Sequence, residues 1–243
     1  MLDGGVETSS RLKGLPVLHP AGVQQRFPQV TQHSRDMFFS FDGIDGVGKS
    51  TQMQLFQQWL VDEGHEVVSC RDPGSTPLGE RLREIVLHSD EKTSIAPISE
   101  MLIYMAARAQ LVEEVIRPAL DSGKAVVSDR YLLANIVYQG YAGGLDVEAV
   151  RQVGQIATAS LKPDCVFLLD MDPLAARSRM GEDLDRMEQR GDSYRQKLRE
   201  GFLTEAGLTG NSVHVINADR SIELIQDEIR AIAGKVLTGE DQS

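Results

Sequence analysis

The stretch that most constrains this chain reads Phe38-Phe39-Ser40-Phe41-Asp42-Gly43-Ile44-Asp45-Gly46-Val47-Gly48-Lys49-Ser50-Thr51. An apolar run breaks into glycines, then a lysine and two hydroxyls, and a helical pattern follows. Gly43 to Ser50 fits G-x-x-x-x-G-K-[ST], a loop that wraps a phosphate. Gly43, Gly46 and Gly48 permit a tight turn whose backbone N–H groups converge on an anion. The helix behind the loop adds the positive end of its dipole. In such a loop the lysine, here Lys49, reaches the β- and γ-phosphates, and the following hydroxyl, here Ser50, holds Mg²⁺. The candidate nucleotide cradle is therefore Gly43, Ile44, Asp45, Gly46, Val47, Gly48, Lys49, Ser50 and Thr51. By itself it specifies a nucleoside triphosphate and leaves the acceptor open.

Strands and helices alternate around this loop. Strand patterns fall at 37–41, 65–70, 125–128, Cys165–Asp170 and Val213–Asn217, and helical patterns at 51–63, 78–87, 97–117, 147–161 and 222–237. Pro118 is expected to kink or restart the long third helix. The stretch 177–199 reads only as charged. Alternation of this kind predicts an α/β chain: a doubly wound, five-stranded parallel sheet with helices on both faces. Ligands then bind at the carboxyl ends of the strands. Residues 1–36 carry scattered Gly, Pro, Ser and Gln without sustained periodicity, and read as a flexible N-terminal extension to one domain over 37–243.

Charge and cysteine usage narrow the class. A net charge of −11 argues against general nucleic-acid binding, which needs basic patches, although a small basic pocket fits in an acidic protein. Cys70 and Cys165 each lie in an apolar strand-like run, too isolated to make a metal site, and read as buried thiols of a reducing compartment. No apolar stretch reaches the ~18 residues of a membrane-crossing helix. The start, Met1-Leu2-Asp3-Gly4-Gly5, has no basic region leading into an apolar core. The expectation is a cytoplasmic protein with neither membrane nor nucleic-acid partner.

Several polar clusters sit just after strands or on the helices that follow. Asp129-Arg130-Tyr131 closes the third strand. A carboxylate there can orient Mg²⁺ and its waters, and the arginine can grip a phosphate with a bidentate fork, although D-R-Y alone also fits a surface ion pair. Arg71 closes the second strand, so two arginines would clamp a monophosphate from both sides. Tyr104 and Arg108 share a helix face at i,i+4. That pair suits stacking on a flat base and bonding its carbonyl edge; a core tyrosine beside a solvated arginine fits the same spacing. The base-reading N-K-x-D of GTPases is not matched by Asn217-Ala218-Asp219-Arg220. Three classes remain open: a nucleoside monophosphate kinase, a phosphate-loop kinase with another acceptor, and a nucleotide-dependent switch. Arg71 with Arg130 favours an acceptor that already carries phosphate.

In order and spacing, these residues resemble the thymidylate kinase family. The resemblance covers about 37–236 and runs through the phosphate loop and Arg71-Asp72-Pro73-Gly74. It continues through Tyr104-Met105-Ala106-Ala107-Arg108, Asp129-Arg130-Tyr131, 135–139, Lys162-Pro163-Asp164, Leu168-Leu169-Asp170 and Asp185-Arg186. It implies a P-loop NTPase-type fold that uses ATP and Mg²⁺ to convert dTMP to dTDP in dTTP synthesis for DNA replication. It implies that Asp45 contacts the deoxyribose 3′-hydroxyl, that Arg71 and Arg130 hold the dTMP phosphate, and that Tyr104 stacks on thymine. Arg108 would meet thymine O4 and Asn135 would lie near N3. Tyr138 would lie near the sugar 2′ position, with Gln139 as a further base or sugar contact. Asp129 would lie near Mg²⁺ with Ser50, and the segment holding Ala218 would lie over adenine.

Gly46 stands where some members of the family carry a loop arginine. The resemblance then implies a mobile lid, about 177–190, supplying Arg179 and Arg186 beside Lys49 and Arg130 as catalytic cations. A phosphate monoester is largely ionised at neutral pH, its second pKa being ~6, so the acceptor needs no strong general base. The difficulty is bringing two anions together. Asp72 and Ser75 depart from the family's usual Glu and Gly, and Tyr104 from its commoner Phe. The family is usually homodimeric, and Leu102, Met105, Ala106 and Ala109 form an apolar face on the helix around Tyr104.

Overall fold

In the computed structural model the described residues are 37–88, 94–181 and 191–238. The N-terminal extension of the sequence reading and the lid position Arg186 lie outside them. Strand β1 (Met37–Asp42) occupies the centre of a parallel sheet with β2 (Val67–Arg71), β3 (Ala125–Asp129), β4 (Cys165–Asp170) and β5 (Val213–Asn217), in the order β2-β3-β1-β4-β5. The chain winds to one side of β1 for β2 and β3 and to the other for β4 and β5. The carboxyl end of β1 therefore lies where the winding reverses, the place at which such sheets bind ligands.

The apolar run of β1 serves both faces of the sheet. Phe39 and Phe41 meet Phe167 of β4 and Phe56 of α1 (Lys49–Asp62). The Phe39–Phe56 and Phe56–Phe167 rings pack edge-on, with centroids 5.1 and 5.3 Å apart. Phe38 points the other way, onto Tyr131 and the helical segment holding Leu111, Ile116 and Leu120. Alternate residues on one strand thus anchor helices on opposite faces.

Helix α2 (Pro77–His88) precedes α3 (Pro97–Leu111), which passes through a π-helical stretch, Val112–Ile116, into α4 (Arg117–Asp121). Pro118 does not break the rod. The proline has no N–H for the ladder, and the wider turn ahead of it, closed by Arg117 N–H on Val112 O, carries the chain past the gap. A second π stretch, Ile136–Tyr141, extends α5 (Leu132–Asn135). Helix α6 (Val147–Ala157) stops short of the predicted 161 because Ala159 and Ser160 adopt φ of 47° and 62°. Then come α7 (Pro173–Ser178), α8 (Asp192–Thr209) and α9 (Ile222–Thr238).

Helix α8 emerges from the stretch that reads as merely charged. Its inner face holds Leu198, Phe202 and Ala206 together with buried Arg195 and Glu205. Arg151 and Tyr141 satisfy Glu205, so charged residues interrupt the apolar period without facing water. Met105 likewise faces inward, against Met101, Ile136 and Val150, and only Leu102 and Ala106 of the predicted apolar face are exposed.

Phe56 is completely buried at the junction of β1, β4 and α1. Phe56→Ala is expected to lower the unfolding free energy by about 3–5 kcal/mol, read as a lower denaturant midpoint at unchanged slope.

Candidate active site

The loop after β1 takes its shape from its glycines. Gly43, Gly46 and Gly48 have φ of 132°, 87° and 93°, conformations that L side chains resist. A Cβ on Gly43 would strike the Leu169 carbonyl of β4, and one on Gly46 the Ala176 carbonyl of α7. Lys49 turns back over the loop, donating from Nζ to Gly43 O at 3.1 Å and Ile44 O at 2.9 Å. The side chains of Ile44 and Val47 are buried in the core. Asp45 through Gln52 form one wall of a cavity of about 690 Å³ at the carboxyl ends of the strands.

Arg130 enters this cavity because the end of β3 is bent. Its φ is 66°, held by its own N–H on Phe41 O (2.9 Å) and by the Ser128 hydroxyl on its carbonyl (2.6 Å). The guanidinium donates to Gly43 O at 2.9 Å, to the Asp45 carboxylate and to the Tyr138 hydroxyl at 3.1 Å. Tyr138 donates in turn to Asp45 at 3.1 Å. Burial alone would raise the Asp45 pKa, but Arg130, Lys49 and Tyr138 outweigh it and hold the carboxyl well below the usual carboxylate range. Beside Arg130, Asp129 has a buried Oδ1 with no hydrogen-bond partner among the described residues.

Asp42, at the end of β1, is fully buried. Ser40 donates to its Oδ2 at 2.6 Å, and its Oδ1 has no partner among the described residues. Burial pushes its pKa up to about 6 against the lowering effect of Ser40, Arg130 and Lys49.

The opposite wall comes from the loop after β2 and from α2 and α3. Arg71 is exposed and donates to both oxygens of Glu80, at 3.1 and 3.0 Å. Ser75, where the family usually has glycine, keeps a left-handed φ of 61°, and its hydroxyl accepts from Arg71 N. The loop thus survives both departures from the family pattern. Arg108 is neither solvated nor exposed. It is 1% accessible, with Nε on the buried Asp72 carboxylate and Nη2 on Tyr131 O at 3.3 Å. Tyr104 is buried beside it on the cavity wall.

Two wall residues escape the sequence reading. Arg83 of α2 donates to Pro73 O at 3.2 Å and joins Arg71 and Arg130 on the cavity surface. Its signal is the Glu80–Arg83 spacing, which puts both on one face of α2. Asp72 reads from sequence only as a substitution in a loop, whereas in the structure it anchors Arg108.

At the far end, Arg179 donates to Ala218 O and lies 3.4 Å from Asp219. The Ala218 side chain is buried, and Met180, Gly181, Arg220, Ile222 and Ile225 surround the cavity there. Arg177 pairs with Asp192 at 2.8 Å, joining α7 to α8. Asn135 and Gln139 are buried on the remaining wall and bonded to each other, Asn135 Nδ2 to Gln139 Oε1 at 2.6 Å.

The family model described as thymidylate kinase matches residues 41–229. The chain belongs to the thymidylate kinase family. A thymidylate kinase of Symbiobacterium thermophilum is 42% identical over 202 residues, covering 83% of this chain and 94% of that protein. One from Rhodopirellula baltica is 38% identical over 240 residues, covering 96% and 92%. The crystal structure of a thymidylate kinase from Ehrlichia chaffeensis superposes with a TM-score of 0.66 at 28% identity, covering 82% of this chain and 98% of that one. The thymidylate kinase match runs from the end of β1 into α9, and so includes every wall of the cavity.

The elevated Asp42 pKa makes stability depend on pH. The carboxyl binds its proton more tightly folded (about 6) than at its ordinary value of 3.8, so the folded state carries the extra proton between those values. The contribution is complete below 3.8 and is lost as pH rises through about 6, a loss on the order of 3 kcal/mol. Asp42→Asn, uncharged throughout, is expected to flatten this fall and to melt higher than the parent at pH 7.5 but not at pH 4.

Proposed function

We propose that this chain transfers the γ-phosphoryl group of ATP to dTMP, giving ADP and dTDP for dTTP synthesis. The observation that carries the reading is one cavity with a phosphate loop at one end and a base-sized polar wall at the other, with arginines between. Tyr104 offers a ring, Arg108 a fixed donor, and Asn135 an amide oxygen without a partner among the described residues. Thymine presents a flat face, a carbonyl at C4 and a donor at N3 to match them.

The cations divide by how firmly they are held. The Arg71–Glu80 pair is nearly half exposed on both sides, and such pairs contribute little, so Arg71 exchanges Glu80 for the acceptor phosphate at small cost. Arg83 and Arg130 complete that clamp. Asp45 holds Arg130 in place and offers a carboxylate to the sugar 3′-hydroxyl, with Tyr138 over the 2′ position. Lys49 and the loop N–H groups take the β- and γ-phosphates of ATP. The 217–220 segment with Ala218 covers adenine, and Arg179 approaches from the lid side, with Arg186 as its companion.

Ser50 and Asp129 fit Mg²⁺: both line the cavity, and an exposed hydroxyl and a carboxylate whose Oδ1 has no hydrogen-bond partner among the described residues are the oxygen ligands a hard cation takes. When bound, the ion neutralises charge building on the transferred phosphoryl group. The acceptor oxygen is already ionised, so no residue removes a proton, and the arginines and Lys49 serve to align two anions in line.

The cellular setting follows the same reading. Cys70 and Cys165 are buried and not joined in a disulfide, which suits the reducing cytoplasm. No helix among the described residues is long and apolar enough to cross a membrane. Leu78 and Ile85 of α2 with Ile98 and Leu102 of α3 are exposed apolar residues on two packed helices, and a second copy of the chain covers them in a homodimer.

The test is ADP release with ATP and Mg²⁺, offering dTMP, dUMP, UMP, CMP, GMP and thymidine in turn. Turnover is expected with dTMP and little with UMP. Arg71→Ala is expected to cost about 10- to 100-fold in kcat/KM, mainly through the KM for dTMP. Arg130→Ala is expected to cost about 100- to 1,000-fold in kcat. Turnover with thymidine but not dTMP would overturn the clamp.

A further inference from the structure

The base-facing wall contains a buried polar relay that the phosphoryl-transfer chemistry does not require. Glu100 of α3, Gln139 of the π stretch and Asn135 of α5 are 5%, 3% and 3% accessible. Gln139 Nε2 donates to Glu100 Oε1 at 3.0 Å, and Asn135 Nδ2 donates to Gln139 Oε1 at 2.6 Å. The line ends at Asn135 Oδ1, which has no partner among the described residues. Asn135 and Gln139 both border the cavity.

An amide is ambivalent: rotated by half a turn, it exchanges an acceptor for two donors. A carboxylate at neutral pH is not ambivalent, because it only accepts. With Glu100 at the closed end, Gln139 must turn its NH₂ outward to the carboxylate and its oxygen toward Asn135. Asn135 must then give its NH₂ to Gln139, which leaves its oxygen as the buried end of the line, on a residue that borders the cavity. Reversing either amide sets two acceptors or two donors face to face in a buried site, where an unmet polar group costs most.

We infer that Glu100, acting through Gln139, fixes the polarity of the Asn135 amide and thereby selects a base that donates at N3 over one that accepts there. Glu100 and Gln139 are positioning residues, and the assignment deepens the dTMP reading above and rests on it. A pyrimidine with N3–H completes the relay with one more hydrogen bond. A cytosine ring, whose N3 is an acceptor, meets a second acceptor that the relay does not let rotate.

The experiment compares dTMP with 5-methyl-dCMP, which keeps the sugar, phosphate and methyl group and changes only the N3–C4 edge. The KM and kcat for dTMP and the inhibition constant of 5-methyl-dCMP are measured for the parent, E100Q and E100Q/Q139E. In E100Q the end of the relay can donate as well as accept, so both amides are free to reverse. The preference for dTMP is expected to fall about tenfold or more, through a higher KM for dTMP and tighter 5-methyl-dCMP, with kcat and the KM for ATP nearly unchanged. In E100Q/Q139E the acceptor-only carboxylate moves to the middle of the line and takes protons from both neighbours. Asn135 is again forced oxygen-out, and the preference is expected to return.

A merely structural role for Glu100 would not be rescued by that exchange. An unchanged ratio in E100Q, or a double variant that binds ATP normally but does not recover the ratio, overturns the inference. Should E100Q not fold, Q139M cuts the relay at similar volume and carries the same expected loss and the same overturning result. A parent enzyme that turned over some acceptor but not dTMP would instead overturn the dTMP reading, an outcome the variants do not mimic.

Discussion

The site depends on the parallel pairing of β1 with β3. In that register Phe41 lies opposite Asp129, so Asp42-Gly43 and Asp129-Arg130 leave the sheet side by side. Arg130 N–H continues the ladder by one bond to Phe41 O, and the left-handed turn there swings its guanidinium onto Gly43 O and Asp45. The phosphate loop, the orphaned carboxylate oxygen of Asp129 and the central cation are thus fixed by one register. A slip of one residue would reverse every side chain of β1, burying Ser40 among the aromatics of α1 and stripping Phe56 of its partners. The aromatic packing that stabilises the fold is therefore also what holds the phosphate loop against Arg130.

A chain with a net charge of −11 concentrates cations in one cavity by giving most of them carboxylate partners. Arg130 has Asp45, Arg71 has Glu80, Arg108 has Asp72 and Arg179 has Asp219. The pairs differ in how readily they open. Arg71–Glu80 and Arg179–Asp219 are solvated and hold little free energy, so either arginine can change partners at small cost. Arg108–Asp72 is fully buried, and removing either partner would strand a charge at a cost of about 3–5 kcal/mol. Arg108 must act from where it stands, whereas Arg71 is free to move. Solvation thus sorts the arginines into those that can change partners and one that is fixed in the cavity wall.

Much of this was legible in the sequence, for physical reasons that also mark where legibility ended. The phosphate loop is local: three glycines, a lysine and a hydroxyl prescribe their own backbone, and Gly43, Gly46 and Gly48 take the conformations that require glycine. Strand–helix alternation is nearly as local, so the five strands lie where their apolar runs do. Residues defined by a tertiary partner were not legible. Glu205 and Arg195 look like solvated charges until Arg151, Tyr141 and the face of α8 are in view. Met105 looks like a surface residue until α6 brings Val150 against it. Asp72 and Glu100 gain their meaning from side chains 36 and 39 positions away. The family resemblance names candidate ligand contacts but not the residues that hold them in place.

That last distinction is a matter of hydrogen-bond symmetry. An arginine offers only donors, so once Asp72 holds Arg108 in place what it presents cannot be inverted. An amide can be inverted at almost no cost in shape, which makes it a poor reader unless something else breaks its symmetry. In this wall the symmetry is broken two residues away, by a carboxylate that never needs to touch the ligand. Burying Glu100 carries a desolvation cost that an apolar residue would avoid. What the fold gains is an Asn135 amide held in one orientation, its oxygen at the end of the line. An amide so held tells a donor from an acceptor by the direction of a single N–H, which is what the proposed discrimination between two rings of the same size and shape requires.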